Sequence, residues 1–352
     1  MTFPALARTL KVIARGGRDA FYEGEVAEDI VGHLAKRGGL LTVDDFARTA
    51  ATYVDPIATT YAGREIIELP PNGQGITALI GLNILSRFDL TSLDPLGAER
   101  FHLQAEAMRL AYVLRGRHIA DPDFAEVPVD WLLSDDLADE LAGRIDRKHA
   151  TADPEEAVPL PGSDTVYLCV VDANRTAVSF INSVFAPWGS GIVTPRTGIL
   201  LQNRGTGFVT DPDHPNCIGP GKRPFHTIIP GMVRRDGHIE MPFGVMGAAY
   251  QPMGHVQVLL NMFDFGMDPQ EALDCPRLFH APTILPSAGN GAFLGVEAGM
   301  PEETVRALAD KGYTIARVED PLGGGQIISI DRKTGALVGG SDPRKDGMAL
   351  GY

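Results

Sequence analysis

His149-Ala-Thr-Ala-Asp-Pro-Glu-Glu-Ala-Val-Pro-Leu-Pro-Gly-Ser-Asp164 gives way abruptly to Thr165-Val-Tyr-Leu-Cys-Val-Val-Asp172. The first stretch is acidic, rich in proline and without periodicity, which predicts a loop. The second is a run of strand formers. Another apolar strand is predicted over 177–184, joined to the first by the hairpin signal Asp172-Ala-Asn-Arg-Thr176. A three-residue loop (173–175) would pair position 172 with 176 and set Thr165 opposite Ser183, two hydroxyls side by side at the mouth of a sheet. A loop one residue longer would put Val184 there instead. Cleavage between Asp164 and Thr165 would leave one residue with both a nucleophilic Oγ and a free α-amine. Such an amine has an ordinary pKa of roughly 7.7–8.0, so it can take the hydroxyl proton near neutrality without a separate base. The plainer alternative is a strand that happens to begin with threonine.

Outward from this junction the chain changes character. Residues 6–13 and 26–34 carry apolar residues at helical spacing, followed by a helix N-cap at Thr42 or Asp44. Residues 57–69 read as a hairpin turning at Ala62-Gly63. Pro70-Pro71-Asn72-Gly73-Gln74-Gly75 is a turn that launches a helix over 76–85. A longer helix over 97–115 has Phe101, Ala105, Met108, Leu110, Ala111 and Leu114 as its expected buried stripe, and another runs over 131–145, capped near Ser134-Asp135. Beyond the junction, 199–201 and 227–233 read as strands, 254–263 and 301–311 as helices, and 326–330 with 337–338 as a closing hairpin. Strand pairs followed by helices suit a layered α+β fold.

Composition narrows the partners. The 352 residues are 44% hydrophobic and 22% charged, enough for a large core. A formal charge of −14 without a basic stripe argues against nucleic acid. No run approaches the ~20 apolar residues of a membrane span, and the N-terminus does not read as a signal peptide, so a cytoplasmic location and no membrane partner are expected. Cys169, Cys217 and Cys275 form no pair, and the histidines lack metal-ligand spacing; neither a metal nor another cofactor is expected. Gly219-Pro-Gly-Lys-Arg-Pro224 lacks the spacing of a phosphate loop. Composition thus points to a protein acting on small molecules.

A set of short strings in a fixed order carries a family resemblance. They include Gly16-Gly17-Arg18-Asp19-Ala20-Phe21-Tyr22, Pro70-Pro71, Glu106-Ala107-Met108, Asp121-Pro122-Asp123-Phe124, Thr165, Gly189-Ser190-Gly191-Ile192-Val193, Gly198-Ile199-Leu200-Leu201-Gln202-Asn203, Gly221-Lys222-Arg223-Pro224 and Ser341-Asp342-Pro343-Arg344. Together they resemble the γ-glutamyltranspeptidase family of N-terminal nucleophile hydrolases. The resemblance implies a four-layer αββα sandwich and self-cleavage into a large-subunit portion (1–164) and a small subunit (165–352), intertwined as a heterodimer of the chain's own fragments. It also implies acyl transfer from an amide such as glutathione to water or an amine. Thr165 falls on the family's nucleophile and Ser183 on a supporting hydroxyl. Gly247 and Ala248 fall on paired glycines whose N–H groups hold the oxyanion, a role that asks Ala248 to avoid positive φ.

Departures from the pattern share one theme. Gly207 stands where the family has an Asp for the γ-glutamyl α-amine, and Phe185 where it has an Asn. His226 and Thr227 replace two serines that reach the α-carboxylate, leaving Arg204 and His226 as candidates to grip an anionic substrate. This is closer to the branch of cephalosporin acylases, whose substrates are other acyl amides; an unprocessed, inactive fragment is the remaining alternative. Family members also carry further large-subunit sequence ahead of the counterpart of Thr2. The resemblance therefore implies a truncated N-terminal portion, and an incomplete layer is expected to leave apolar surface that favours oligomers or a partner.

Overall fold

The computed structural model describes residues 2–151, 164–280 and 292–352. These form two compact units, each drawn from both sides of the Asp164–Thr165 junction: Met1–Val54 with Val184–Arg204, and Asp55–Ser183 with Gly205–Tyr352.

The first unit contains α1 (Pro4–Tyr22), α2 (Glu25–Ala35) and α3 (Val43–Ala47). Pro4 opens α1, where its missing N–H costs nothing. Gly17, at φ +63°, kinks the helix, and Arg18 beyond it donates to the carbonyls of Ala47 (2.6 Å) and Thr49 (2.8 Å), tying α1 to the end of α3. Thr42 caps α3 in a reciprocal box with Asp45, as the hydroxyl before an apolar turn predicts. The run 199–201, expected as a strand, forms only a single bridge between Val193 and Leu200. Positive φ at Gly189, Gly191 and Gly198 keeps this segment turning. It is anchored instead on buried Asp29, whose carboxylate accepts from Thr197 N (2.9 Å), Thr197 Oγ1 (2.8 Å) and Arg196 N and Nε (3.2 Å each).

The second unit is built on strands β1 (Ile57–Tyr61) and β2 (Arg64–Glu68) and helices α4 (Gly75–Leu85), α5 (Ala98–His118), α6 (Val129–Leu132) and α7 (Asp135–Gly143). The pair β3 (Asp164–Val171) and β4 (Ala177–Phe185) follows; the last two residues of β4 pass into the first unit. Next come β5 (Gly231–Arg235), β6 (His238–Met246), α8 (Gln251–Phe263), α9 (Pro269–Asp274), β7 (Leu278–His280), β8 (Phe293–Val296), α10 (Glu302–Asp310), β9 (Thr314–Arg317), β10 (Gly324–Ile330) and β11 (Leu337–Ser341). An antiparallel sheet runs β1-β2-β5-β6-β10-β11, β3 and β4 form a ribbon, and β7-β8-β9 form a third sheet. Ala62 and Gly63, both at positive φ, make the β1–β2 turn in the hand that a two-residue hairpin needs.

Alternation along β6 places the layers. An added Cβ at Gly244 would meet the Tyr167 ring of β3 at 2.4 Å, whereas Val245 meets α8 at Gly254. Successive residues face opposite sides of a strand, so the ribbon lies on one face of the sheet and the helices on the other. This α+β stacking of helices, sheet and second sheet is that of the αββα sandwich. α4 is buried over its whole length and apolar on every side, as a helix enclosed by its neighbours must be. The outward face of the ribbon, with Val166, Leu168, Val170, Val178 and Phe180, is apolar and exposed.

Several expectations need correction. α5 has no single buried stripe: every residue from Arg100 to Arg109 is buried. Some of its polar groups are matched inside, Arg109 to Glu106 (3.1 Å) and Glu106 to the Tyr313 hydroxyl (2.9 Å). The helix expected over 131–145 is two, α6 and α7, because Ser134 caps a fresh start. Of the strand expected over 227–233, only the part from Gly231 enters the sheet. Before it, Thr227 O instead accepts from the Gln74 side chain and Ile229 N donates to that of Gln251.

Candidate active site

Thr165 sits at the start of β3, 4% exposed, and its Oγ1 donates to Ser183 Oγ at 3.0 Å. The hairpin fixes that meeting. Asp172 N donates to Thr176 O (3.1 Å), Arg175 N to Asp172 O (3.0 Å), and Arg175 takes φ +66°. That is a three-residue loop closed by a left-handed residue, the shorter of the two loops the sequence allowed. Two residues along β3, buried Tyr167 packs on Gly244 and shares a 2.8 Å hydrogen bond with Ser179, whose hydroxyl donates to Phe243 O at 3.3 Å. The strand that starts at Thr165 is thereby seated on β6, the strand leading into Gly247.

Gly247 and Ala248 form the turn between β6 and α8. Gly247 has φ +141°, and a Cβ there would lie 3.0 Å from Gly323 Cα, so only glycine fits. Ala248 overturns the expectation of negative φ: it stands at +50°, a conformation that does not remove its N–H, which belongs to the preceding peptide plane. A left-handed alanine costs about 1–2 kcal/mol and persists only where its surroundings hold it. Here they do: Tyr250 N donates to Gly247 O (2.9 Å), the Gln74 side chain to Ala248 O (2.8 Å), and the Tyr112 hydroxyl to Ala249 O (2.5 Å).

Thr227 is buried, and its carbonyl accepts from the same Gln74 amide at 2.7 Å. His226 pairs through its backbone with the 70–75 turn, and its Nδ1 accepts from Ile228 N at 3.2 Å, which leaves the ring proton of the neutral form on Nε2. Thr165, Ser183, Thr227, His226, Gly247 and Ala248 all belong to the second unit. Arg204 belongs to the first. It is no solvated loop charge: it is 7% exposed, its guanidinium lies 4.6 Å over the Phe185 ring, and burial pushes its pKa down to about 10, so it stays a cation at neutral pH. Gly207 cannot carry a side chain as it stands, because a Cβ would lie 2.8 Å from Phe225 O. Cys275 is buried and Cys169 half-buried, and burial raises both thiol pKa values, Cys169 to about 12. Asp164 opens β3, while residues 152–163, in the stretch expected to be a loop, lie outside the described residues.

The sequence reading missed two supports of this site. Gln74 passed as part of a helix-launching turn. Glu68 and His255, both fully enclosed, were also unmarked: His255 Nδ1 lies 2.7 Å from Glu68 Oε1, and Val245 N donates to its Nε2 at 3.1 Å. β5 ends its pairing with β6 at Phe243, so His255 supplies the acceptor the next strand no longer gives. The available signal was polarity in apolar surroundings, a Glu inside strand β2 and a His inside a buried helix.

Comparison with known proteins bears on the family and the fold. The family model described as gamma-glutamyltranspeptidase matches residues 1–352. The glutathione hydrolase-like YwrD proenzyme of Bacillus subtilis is 39% identical over 349 residues, covering 98% of this chain and 65% of that protein. The oxamate amidohydrolase proenzyme of Klebsiella pneumoniae is 35% identical, covering 99% and 65%. Among solved structures, cephalosporin acylase from Bacillus halodurans superposes with a TM-score of 0.89 at 41% identity, covering 99% of this chain and 63% of that one. The chain belongs to the γ-glutamyltranspeptidase family and has its N-terminal nucleophile hydrolase fold, on the acylase-like side. It spans less than two thirds of the length of these relatives.

Proposed function

We propose that this chain cleaves itself before Thr165 and then acts as an amidohydrolase or acyltransferase through an acyl-threonine intermediate. The observation that carries the reading is the 3.0 Å bond from Thr165 Oγ1 to Ser183 Oγ at the buried start of β3. In maturation Oγ attacks the Asp164 carbonyl and the Thr165 nitrogen departs as an amine, leaving an ester on Oγ. Water hydrolyses the ester, giving a carboxylate at Asp164 and a free Thr165. In turnover the α-amine takes the Oγ proton while Oγ bonds to the substrate carbonyl, then passes that proton to the departing amine. Water or an acceptor amine resolves the ester. Gly247 and Ala248 donate to the oxyanion, each worth about 3–4 kcal/mol where such a donor has been removed. Ser183 orients Oγ throughout. The two fragments stay together as an intertwined pair, since both compact units contain residues from each.

γ-Glutamyl amides such as glutathione are the first substrate class to test, in line with the relative named as glutathione hydrolase-like. Glutaryl and similar acyl amides are the second, and one observation favours them. Position 207, where an acidic group would hold an α-ammonium, is closed by Phe225 O. His226 and Thr227 remain in the same unit to bind an anionic acyl end. Mass spectrometry of the purified protein tests the first act: a polypeptide beginning at Thr165 is expected from the native chain and none from Thr165→Ala. An intact native chain after long incubation overturns the proposal. The ratio of kcat/KM on glutaryl and γ-glutamyl anilides then decides the acyl class.

A further inference from the structure

We infer that Gln74 is a positioning residue that sets the aim of the oxyanion turn and ties it to the acyl-binding segment through a single side-chain amide. The inference rests on the acyl-transfer reading above. Gln74 is fully buried. Its Nε2 donates to Thr227 O (2.7 Å) and to Ala248 O (2.8 Å), and its Oε1 accepts from Arg115 Nη1 (2.9 Å). The chemistry admits no other orientation of the amide: Arg115 can only donate, and the two carbonyls can only accept. Both amide protons are therefore committed, one to each half of the site.

The backbone at Ala248 explains why this matters. Its φ and ψ relate two peptide planes, one ending in Gly247 O and the other in Ala248 O. Tyr250 N pins the first and Gln74 pins the second. The Ala248 N–H lies in the first plane; with the second fixed as well, Ala248 is held at φ +50° and the turn that carries this N–H cannot rotate. Without Gln74 the second plane is released, and the strain of a left-handed alanine favours rotation away. The Gln74 backbone is held as well, by bonds between the 70–75 turn and residues 224–226: Asn72 Nδ2 to Pro224 O (2.5 Å), His226 N to Asn72 O (2.9 Å) and Gln74 N to His226 O (3.0 Å).

Arg115 completes the clamp. Its guanidinium lies 4.4 Å over the Tyr112 ring and 5.2 Å over that of Phe225, and burial pushes its pKa down to about 10, still charged at neutrality. A cation on Oε1 polarises the amide and strengthens the two N–H bonds on its other side. Tyr112, one helical turn before Arg115 on α5, holds the next carbonyl, Ala249 O. One face of α5 thus fixes two consecutive carbonyls of the turn, one through Gln74 and one directly.

The experiment compares Gln74→Met, close in volume but without donors, with the native protein. Tyr112→Phe serves as a milder second variant should Gln74→Met fail to fold. Expected for Gln74→Met is a fall in kcat of about 30-fold or more with KM within about threefold, because the lost interaction serves the transition state. The affinity of a boronate mimic of the tetrahedral intermediate should fall in parallel with kcat, while that of the carboxylate product holds. Tyr112→Phe should show the same pattern, reduced to about three- to tenfold. A kcat within about threefold of native, or equal losses of boronate and product affinity, overturns the inference. If the native protein never yields a Thr165 terminus, the acyl-transfer reading fails by itself. Hydrogen exchange then judges the clamp: the Ala249 and Tyr250 amides should exchange about tenfold faster in Gln74→Met, with α4 amides unchanged, and equal exchange refutes it.

Discussion

Replacing Gly244 with alanine is expected to destabilise the protein and slow the appearance of Thr165 at a new terminus, although Gly244 touches no reacting atom. An added Cβ would stand 2.4 Å from Tyr167 Cε2 and 2.7 Å from its Cδ2 and Cζ, distances that real carbon atoms do not share. The ring cannot simply swing aside, since Tyr167 is buried and its hydroxyl is bonded to Ser179 at 2.8 Å. β3 must lift from β6 by roughly an ångström, at the typical overpacking cost of about 1–3 kcal/mol. Removing a glycine recovers about 0.5 kcal/mol from the unfolded chain, so the net loss should be about 0.5–2.5 kcal/mol. The assay is urea unfolding of Gly244→Ala, Tyr167→Leu and the double variant, with mass spectrometry timing the cleavage. The smaller Leu should absorb the new methyl, giving a favourable coupling of about 1 kcal/mol or more in the double-mutant cycle. A single variant within about 0.5 kcal/mol of native, or a coupling near zero, would refute the seating of the ribbon on the sheet through this contact.

Other outcomes follow from the same geometry. Ser183→Ala removes the partner of Thr165 Oγ1 and should slow self-cleavage and turnover about tenfold, measured by fragment accumulation and kcat, with Thr165→Ser retaining part of both. Asp342→Asn leaves Arg277, 1% exposed and 2.6 Å from that carboxylate, without its counter-charge, and should cost about 3–5 kcal/mol in denaturant unfolding. At Asp29 burial raises the carboxyl pKa, but the bonds from Thr197 and Arg196 outweigh it, so the folded value lies below the ordinary 3.8. Its stabilisation is then complete above pH 3.8 and lost as pH falls through the lower folded value; Asp29→Asn should flatten stability against pH in that acid range. With its pKa at about 12, Cys169 should resist alkylation at pH 8 in the native state and react once unfolded, read by mass after iodoacetamide.

Much of this was legible in order along the chain because it rests on local rules. Apolar spacing marked α1, α2, α4, α8 and α10, and Thr42 and Ser134 announced helix starts by their hydroxyls. A five-residue hairpin signal narrowed the partner of Thr165 to Ser183 or Val184, and the three-residue loop of the structure selects Ser183. The family strings added the turn at Gly247 and Ala248. Period-based reading failed where burial is complete, as along α5, since a helix enclosed on all sides has no polar face to reveal it. It also left β6 to β9 unassigned, although β6 pairs with β5 across the short turn at Asp236-Gly237.

The sequence by itself determined the hydroxyl at the head of a strand and narrowed its hairpin partner to two positions, because a two-residue period and a short turn act within some twenty residues. Tertiary structure alone decided the left-handed Ala248, the closure of position 207 by Phe225 O, and the recruitment of Gln74 and His255. Each depends on where a distant backbone carbonyl or N–H comes to rest. Hydrogen-bond groups buried by packing must find partners wherever the chain brings them, and no local pattern of residues records that destination.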